Sequence, residues 1–432
     1  MCAPARWGLL SGRSPSKGTY CKSDEVHSSG RALVKVPRTK FDRSDLSDAQ
    51  ATIASRLKTA GYLTGHVGKW HLKTKPGGGA GVYDDHADNV AAVKEAGFTE
   101  VKALYVDNFD KLSVGWTHNN ELVAAEARRL LRQCASTSTP CFLHVNPTTP
   151  HSPSVMDALT TGASTAAPEG TVASPDADSG MPTRANVISR ADAVAPSASD
   201  TRKNAIAGAM WTDDVLGAVV SELEALGIFD DTLLVFSHDH GTDGKGSLYA
   251  GGLEIMLTAS WPNGGVRKGA TVSDPVSSLD LYPTALEAAG LQWPSSPKLE
   301  GVSLLPAAKG YGSNSSRVLI GEMNYDRCAF SKDYRYVEAQ GESQGHVGTN
   351  LLAKLKGLHS GYEDSKQVYS LLADAPEDSN LAGQPAVAAA TAALQREVSC
   401  HEAGTCAAQV PYAASGEPSS SAGSGGSGGT SG

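Results

Sequence analysis

The chain has 432 residues, enough for one large domain and a smaller one. Of these residues, 40% are hydrophobic and 19% are charged, a composition typical of a globular protein. Its formal net charge is −9 and its basic residues are scattered, which argues against a nucleic-acid partner. No apolar run approaches the roughly 20 residues of a membrane-spanning helix, and we expect no signal peptide, because Met1 directly precedes the first motif.

The first stretch, MCAPARWGLLSGR, predicts a short helix. Pro4 suits the first helical turn and Gly12 suits a helix end. Cys2 would then lie at the helix N-terminus, where free N–H groups and the helix dipole favour an anion. Arg6, one turn further on, would add a permanent positive charge at the same place. By itself this pattern favours an ordinary cysteine after a start codon.

As a string, however, residues 2–13 resemble the sulfatase signature C-x-P-S/A-R with its Leu-Leu-Thr/Ser-Gly-Arg extension, and every fixed position is met. In that family the cysteine is oxidised after translation to formylglycine, whose hydrated aldehyde is the nucleophile. The resemblance implies that Cys2 is this residue, with Arg6 beside it. It also requires particular partners further along the chain.

The next segment predicts a helix over about 48–60 and a strand over 62–67. Lys69 and His71 follow, two residues apart on extended chain, so they point to the same side and can address one ligand. A strand end at the surface is the structural alternative. Residues 61–72 resemble the second sulfatase signature throughout, which implies that Lys69 holds a sulfate oxygen and that His71 acts on the formylglycine hydrate.

Two nearby patterns give weaker evidence of a functional site. The glycine-rich run 76–81 lacks the spacing of a phosphate-binding loop and favours a flexible loop. The sequence Asp84-Asp85-His86 is more typical of solvated side chains than of a metal site.

A helix is predicted over about 120–133 and a buried strand over 140–145. The strand leads into residues 146–153, and loops at strand C-termini are where α/β sheets bind ligands. Flanking prolines restrict the chain around His151. The family carries Pro-His-x-Pro after this strand, so the resemblance implies that His151 contacts the sulfate or the leaving oxygen.

Residues 154–201, rich in Ala, Ser, Thr, Pro and Asp, are expected to form a long exposed loop, disordered in part. A helix over about 202–226 and a core strand over 231–237 follow. The strand ends at Asp239 and His240, which could bind a divalent cation or form a hydrogen-bonded turn.

This strand end resembles the sulfatase metal segment, in which either Asn or His follows the Asp. The resemblance implies that Asp239 and His240 bind one Ca²⁺ together with the modified Cys2. Residues 245–252 resemble the segment that supplies a second catalytic lysine, Lys245, although Ala250 replaces the usual Glu.

Further along, a strand is predicted over 256–261, a helix over 276–290, strands over 317–320 and 334–337, and a closing helix over 386–398. The resemblance implies an α/β fold, a large mixed β-sheet sandwiched by helices (alkaline-phosphatase-like), with a smaller C-terminal α+β subdomain. The predicted domains are a catalytic domain over 1–305, a subdomain over 306–410 and a disordered Ser/Gly tail over 411–432.

Seven cysteines are too few for a disulfide scaffold. Cys400 and Cys406 could pair in an oxidising compartment or remain free thiols. The Asn314 sequon matters only if the chain is secreted, and chance is enough to explain it.

The resemblance therefore predicts a sulfuric ester hydrolase. The predicted catalytic residues are Cys2, Arg6, Lys69, His71, His151 and Lys245, and the predicted metal ligands are Cys2, Asp239 and His240. Expected partners are a sulfated small molecule or glycan and the formylglycine-generating enzyme, in a secreted, endomembrane or lysosome-like setting.

Family members also carry, upstream of the cysteine, a strand that ends in paired aspartates binding the same cation. No residue precedes Met1 here, so we expect an N-terminally truncated domain with poor cation affinity and lowered stability and activity. The alternative function is a catalytically inert sulfatase-like protein that binds anionic or sulfated ligands. A phosphoryl hydrolase is disfavoured, because the Leu-Leu-Ser-Gly-Arg extension is the sulfatase version.

Overall fold

The structure is a computed structural model that describes residues 2–18, 22–26, 32–34, 52–72, 86–106, 116–160, 164–167, 170–173, 178–242, 244–296, 298–312, 314–340 and 349–407. Its helices are α1 Cys2–Ser11, α2 Ile53–Thr59, α3 His86–Glu95, α4 Asn120–Thr137, α5 Val155–Thr160, α6 Arg184–Val194, α7 Asp200–Ala225, α8 Ala250–Leu253, α9 Leu281–Ala288, α10 Leu305–Lys309, α11 Thr349–Leu358 and α12 Ala388–Ala403. Its strands are β1 Lys22–Val26, β2 Ala32–Val34, β3 Leu63–Lys69, β4 Glu100–Tyr105, β5 Cys141–Asn146, β6 Ser164–Ala167, β7 Gly170–Ala173, β8 Leu234–Ser237, β9 Leu257–Ser260, β10 Leu319–Met323, β11 Asp326–Phe330, β12 Tyr334–Glu338 and β13 Lys366–Ser370.

A parallel three-stranded sheet with the order β4-β3-β5 forms the centre of the N-terminal part. Leu63 pairs with Cys141 at the start of the β3–β5 ladder, and Gly68 pairs with Asn146 at its end. Parallel strands end at the same edge of a sheet, so the residues that follow β3 and β5 come out side by side. Helix α4 packs against all three strands.

A second pair of strands, β8 and β9, is antiparallel, and it leads into the segment that carries Asp239 and His240. The C-terminal part contains an antiparallel sheet with the order β10-β11-β12-β13. Helix α12 packs on this sheet, where Leu394 and Val398 are buried among residues of its strands. The predicted helices and strands of this region are therefore confirmed, with α12 extending further than expected.

The expectation of a long exposed loop over 154–201 is wrong in the described parts of that range. Helices α5 and α6 and the hairpin β6–β7 form there. Val155 and Val187 from these helices are buried against Trp211 of α7, so apolar residues spaced along short helices are what fix this segment. The glycine-rich run 76–81, Asp84-Asp85 and the Ser/Gly tail lie outside the described residues.

Two disulfides cross-link the described chain. Cys400 and Cys406 are bonded, which resolves the alternatives left open by the sequence. A second bond, Cys134–Cys141, joins the end of α4 to the start of β5 and was not predicted.

In the part of the chain that the structure describes, no helix combines the length and apolar character needed to cross a membrane.

Candidate active site

Helix α1 is buried along most of its length, and this burial brings its first residue into the interior. Trp7 and Leu10 are fully buried in one cluster with Trp70 and Phe98. The helix ends at Gly12, whose φ of +65° is the left-handed conformation that glycine adopts without strain. Cys2, at the other end, is 4% exposed.

The Arg6 guanidinium joins the ends of three strands. Its Nε donates to Asp239 Oδ2 at 3.1 Å, and its Nη1 donates to the Lys69 carbonyl and to Asn146 Oδ1, both at 2.9 Å. Asp239 follows β8, and Lys69 and Asn146 are the last residues of β3 and β5. A planar guanidinium with several fixed donors can hold all of them at once, which an ammonium cannot do.

The end of β3 approaches β5 so closely that position 68 requires glycine. Gly68 has a φ of +93°, and a Cβ added there would lie 2.0 Å from the Asn146 carbonyl oxygen. Directly after it, Lys69 and His71 turn inward, where they are 5% and 6% exposed. His71 has a φ of 57°, a conformation that non-glycine residues adopt mainly at constrained sites.

The sulfur of Cys2 is surrounded by groups that favour a negative charge. Cys2 Sγ lies 3.0 Å from His240 Nε2, and His71 is a second hydrogen-bond partner. Burial on its own would raise the pKa of the thiol, but these two imidazoles and the charge of Lys69 outweigh it and lower the pKa to about 3. The site therefore stabilises an anion at this position.

Asp239 lies in a cationic environment. Burial opposes its ionised form, but the charges of Arg6, His240 and Lys69 hold its pKa well below the ordinary value. Burial also lowers the pKa of Lys69 to about 8, with Arg6 acting in the same direction and the negative charges of Cys2 and Asp239 acting against it. Lys69 is thus a cation whose charge is lost at moderately alkaline pH.

His151 and Lys245 approach the same site from loops on its other side. Lys245 Nζ lies 3.3 Å from His151 Nε2, and because an ammonium only donates, the imidazole accepts on that nitrogen. Burial lowers the pKa of His151, and the charges of Lys69 and Lys245 lower it further. Both side chains are half-buried and more open to solvent than Cys2.

The sulfatase family model matches residues 1–291, about two thirds of the chain. The chain belongs to the sulfatase family. It is 26% identical to arylsulfatase A of Bos taurus over 74% of this chain and 61% of that protein. It is 23% identical to N-acetylgalactosamine-6-sulfatase of Canis lupus familiaris over 72% of this chain and 57% of that protein. The chain thus spans less than two thirds of these relatives.

Solved structures show the same fold. Ps i-CgsB superimposes with a TM-score of 0.61 at 19% identity, covering 93% of this chain and 82% of that one. BT4656, solved in complex with its substrate D-glucosamine-2-N,6-O-disulfate, gives a TM-score of 0.58 at 15% identity, with coverage of 93% and 88%. The predicted alkaline-phosphatase-like α/β fold is confirmed.

In this member of the sulfatase family, the residues predicted from the motifs lie in one neighbourhood. Cys2 contacts His240 and His71, and Arg6 contacts Asp239 and the backbone of Lys69. His151 contacts Lys245 and lies within the electrostatic reach of Lys69. Their individual roles stay predictions.

Asn146 was not identified from the sequence, although it bonds directly to Arg6. The available signal was its position, since it is a polar residue at the carboxyl end of a core strand. His118 was also missed. It precedes α4 in sequence and contacts the loop that carries His151.

The donor set of the described residues does not fit a calcium site. Cys2, Asp239 and His240 place one sulfur, one carboxylate oxygen and one imidazole nitrogen within 4.8 Å of one another. Calcium takes about six to eight oxygen ligands, and one Asp239 oxygen already accepts from Arg6. The calcium ion predicted from the resemblance stays a prediction, and no chemical step below depends on it.

Proposed function

We propose that this chain hydrolyses sulfate monoesters and that Cys2, converted to formylglycine, is its nucleophile. The observation that carries the proposal is the environment of Cys2 Sγ, where His240, His71 and Lys69 together favour negative charge on a buried atom. A nucleophilic oxygen at the same position would gain the same stabilisation. The residues present therefore fit the modified side chain.

Formylglycine supplies a hydrated aldehyde, one hydroxyl of which is a nucleophile towards sulfur. His71 and His240, which contact position 2, are placed to hold the proton released there. Lys69 and Lys245 lie within electrostatic reach of each other and would provide positive charge to a bound sulfate group. Arg6 contributes a third cation and fixes the strand ends around it.

The leaving oxygen needs a proton as its bond to sulfur breaks. The Lys245 ammonium donates to His151 Nε2, so this pair holds a proton on the half-exposed side of the site. That is where a bulky alcohol can leave without displacing the buried residues. The match to sulfatases does not favour the inert alternative.

We further propose a sulfated small molecule or glycan as the substrate, and a secreted, endomembrane or lysosome-like location. Sulfated sugars are bound by structural neighbours such as BT4656. The disulfides Cys134–Cys141 and Cys400–Cys406 support an oxidising compartment, because cytosolic proteins rarely keep such bonds. The formylglycine-generating enzyme would be the maturation partner.

The test is expression in a secretory host with and without added formylglycine-generating enzyme. We expect the tryptic peptide ending at Arg6 to show the mass of an aldehyde in place of the Cys2 thiol, and 4-nitrophenyl sulfate turnover to scale with the modified fraction. Turnover by a preparation whose Cys2 is entirely a thiol would overturn the assignment of the nucleophile. A fully modified preparation that hydrolyses no sulfate ester would overturn the proposed activity.

A further inference from the structure

His118, which lies directly before the N-cap residue of α4, is fully buried and contacts the loop that carries His151. Its Nδ1 lies 2.7 Å from Thr148 Oγ1, and its Nε2 lies 3.0 Å from the Pro153 carbonyl oxygen. One side chain therefore holds the loop on both sides of His151.

The partners fix which nitrogen of His118 carries the proton. A carbonyl oxygen only accepts, so Nε2 must be protonated to donate to Pro153. Nδ1 then accepts from the Thr148 hydroxyl. Burial lowers the pKa of His118 to about 4, so the ring is neutral at neutral pH.

The loop has a second attachment, at the first residue of α4. Asn120 Nδ2 donates to Thr149 Oγ1 at 2.8 Å, and Thr149 Oγ1 lies 2.7 Å from Thr212 Oγ1 of α7. Among the described residues, the His151 imidazole, by contrast, bonds only within its own loop at Ser152 and across the site to Lys245. The loop that His118 holds is therefore the part of the chain that carries this imidazole to Lys245.

We propose that His118 is a positioning residue that directs the His151 imidazole towards Lys245 and the leaving oxygen. The inference rests on the proposed function, because it assumes that His151 acts on the leaving group. A displacement of about 1 Å in such a group can cost about 100-fold in rate. Loss of His118 should therefore affect the chemical step more than substrate binding.

Three substitutions separate positioning from simple burial. His118→Phe keeps the ring volume and removes both hydrogen bonds. His118→Gln can place an N–H near the original Nε2 and so retain the bond to the Pro153 carbonyl. His118→Asn reaches only as far as the Nδ1 position, next to Thr148. We expect kcat to fall about 10- to 100-fold in His118→Phe and His118→Asn, with KM within about 2-fold and substantial rescue in His118→Gln.

The leaving group provides a sharper measurement. The loss in His118→Phe should be larger for glucose 6-sulfate, whose alcohol needs a proton, than for 4-nitrophenyl sulfate, whose phenolate leaves readily. A variant that is only less stable would show equal losses for both substrates and an unchanged kcat per folded molecule. That result would overturn the inference.

An NMR titration of ¹³C-labelled histidine tests the same point without turnover. In the parent protein, burial and the charges of Lys69 and Lys245 lower the pKa of His151, while Cys2 acts in the opposite direction. In His118→Phe the loosened imidazole should become more solvated and its pKa should rise, and His118→Gln should keep the parent value. An unchanged His151 titration in His118→Phe would overturn the positioning role, and a parent protein without sulfatase activity would overturn only the proposed function.

Discussion

The two halves of the site are built differently. In what we call the nucleophile half, comprising Cys2, Arg6, Asp239 and His240, the guanidinium has fixed partners on three strand ends and the thiol is almost fully buried. In the leaving-group half, His151 and Lys245 are half-buried and meet in a single 3.3 Å contact. The first half is arranged before substrate binds, and the second is open to receive it.

The difference follows from the elements that carry each half. In the nucleophile half, Cys2 and Arg6 lie on a buried helix, whose packing leaves little freedom. Asp239 and His240 follow β8, are half-buried, and are tied to this helix by contacts with Arg6 and Cys2. The leaving-group half lies on loops, which adapt more readily to different alcohols. Substitutions that conserve charge should therefore be more harmful in the first half than in the second.

The largest effect is expected from removing the nucleophile. Cys2→Ala should reduce 4-nitrophenyl sulfate hydrolysis by about 10⁴-fold or more, because the proposed covalent step depends on this side chain. The fold should survive, since a small side chain at a helix N-terminus contributes little packing. Activity and the thermal unfolding midpoint are the two measurements.

Cys328→Ala is the matched control for this substitution. Cys328 is the other buried free cysteine among the described residues, and burial raises the pKa of its thiol to about 12. Its loss should leave turnover per folded molecule within about 2-fold, consistent with a purely structural role. Retained turnover in Cys2→Ala would instead place the nucleophile elsewhere.

The next largest effect is expected when one basic residue replaces another, and the two halves of the site can be compared in this way. Arg6→Lys keeps the charge but cannot hold Asp239, Asn146 and the Lys69 carbonyl together, so we expect a loss of about 10²- to 10³-fold in kcat. Lys245→Arg disturbs one contact and should cost about 10-fold. Equal losses in steady-state kinetics would contradict the distinction between the halves.

Short motifs identified the candidate site residues that are neighbours in sequence, and the roles of these residues stay predictions. Lys69 is the last residue of β3, and His71 follows it with a φ of 57°, so the extended chain expected through His71 is wrong. This pair and the adjacent Asp239 and His240 could still be identified from short motifs. The contact between Arg6 and Asn146 could not, because it joins residues 140 positions apart and depends on how β3 packs on β5. His118 was missed for the same reason.

The fold, like the site, was predicted where the signal is local and not where it depends on distant parts of the chain. The helix over 120–133 was predicted from a strong apolar stripe and is confirmed as α4. Helix α6, within the range expected to be a loop, has few large apolar residues and is fixed by burial of Val187 and Ala191 against α7. Composition alone indicated disorder there, since the partner surface is not encoded in the segment itself.

The alkaline limb of the pH–rate profile should report on Lys69. Its pKa is lowered to about 8, chiefly by burial, so its charge is present below this pH and is lost as the pH rises through it. Replacing the Cys2 thiolate by a neutral aldehyde hydrate removes one stabilising negative charge, so the limb in the mature enzyme should lie at or below about pH 8. We expect kcat/KM to fall above that pH.

Lys69→Arg sharpens this prediction. Arginine keeps its charge beyond pH 12, so the variant should be less active at its optimum but lose the limb near pH 8. The measurement is kcat/KM from pH 5 to 10 for both proteins. A limb that persists unchanged in Lys69→Arg would assign the titration to another group.

The smallest effect on activity is expected at His401, which supports the nucleophile half from a distance. His401 Nε2 lies 2.8 Å from Glu322 Oε1, and its Nδ1 lies 3.5 Å from Glu300 Oε1. The same carboxylates accept the backbone N–H groups of Ser16 and Ser14, just after α1. Burial would lower the pKa of His401, but the two glutamates outweigh it and raise the pKa to about 9.

The pKa of His401 is higher in the folded protein than the ordinary value of about 6.5. Its stabilising effect is therefore fully present below about pH 6.5 and is lost as the pH rises through about 9. We expect His401→Gln to lower the free energy of unfolding by about 1–3 kcal/mol at pH 6 and by much less at pH 10. Turnover per folded molecule should change less than about 2-fold, because the residue touches no reacting group. Urea unfolding of both proteins at the two pH values measures the difference, and a loss of stability that is the same at pH 6 and pH 10 would show that the charge of His401 is not what anchors the segment after α1.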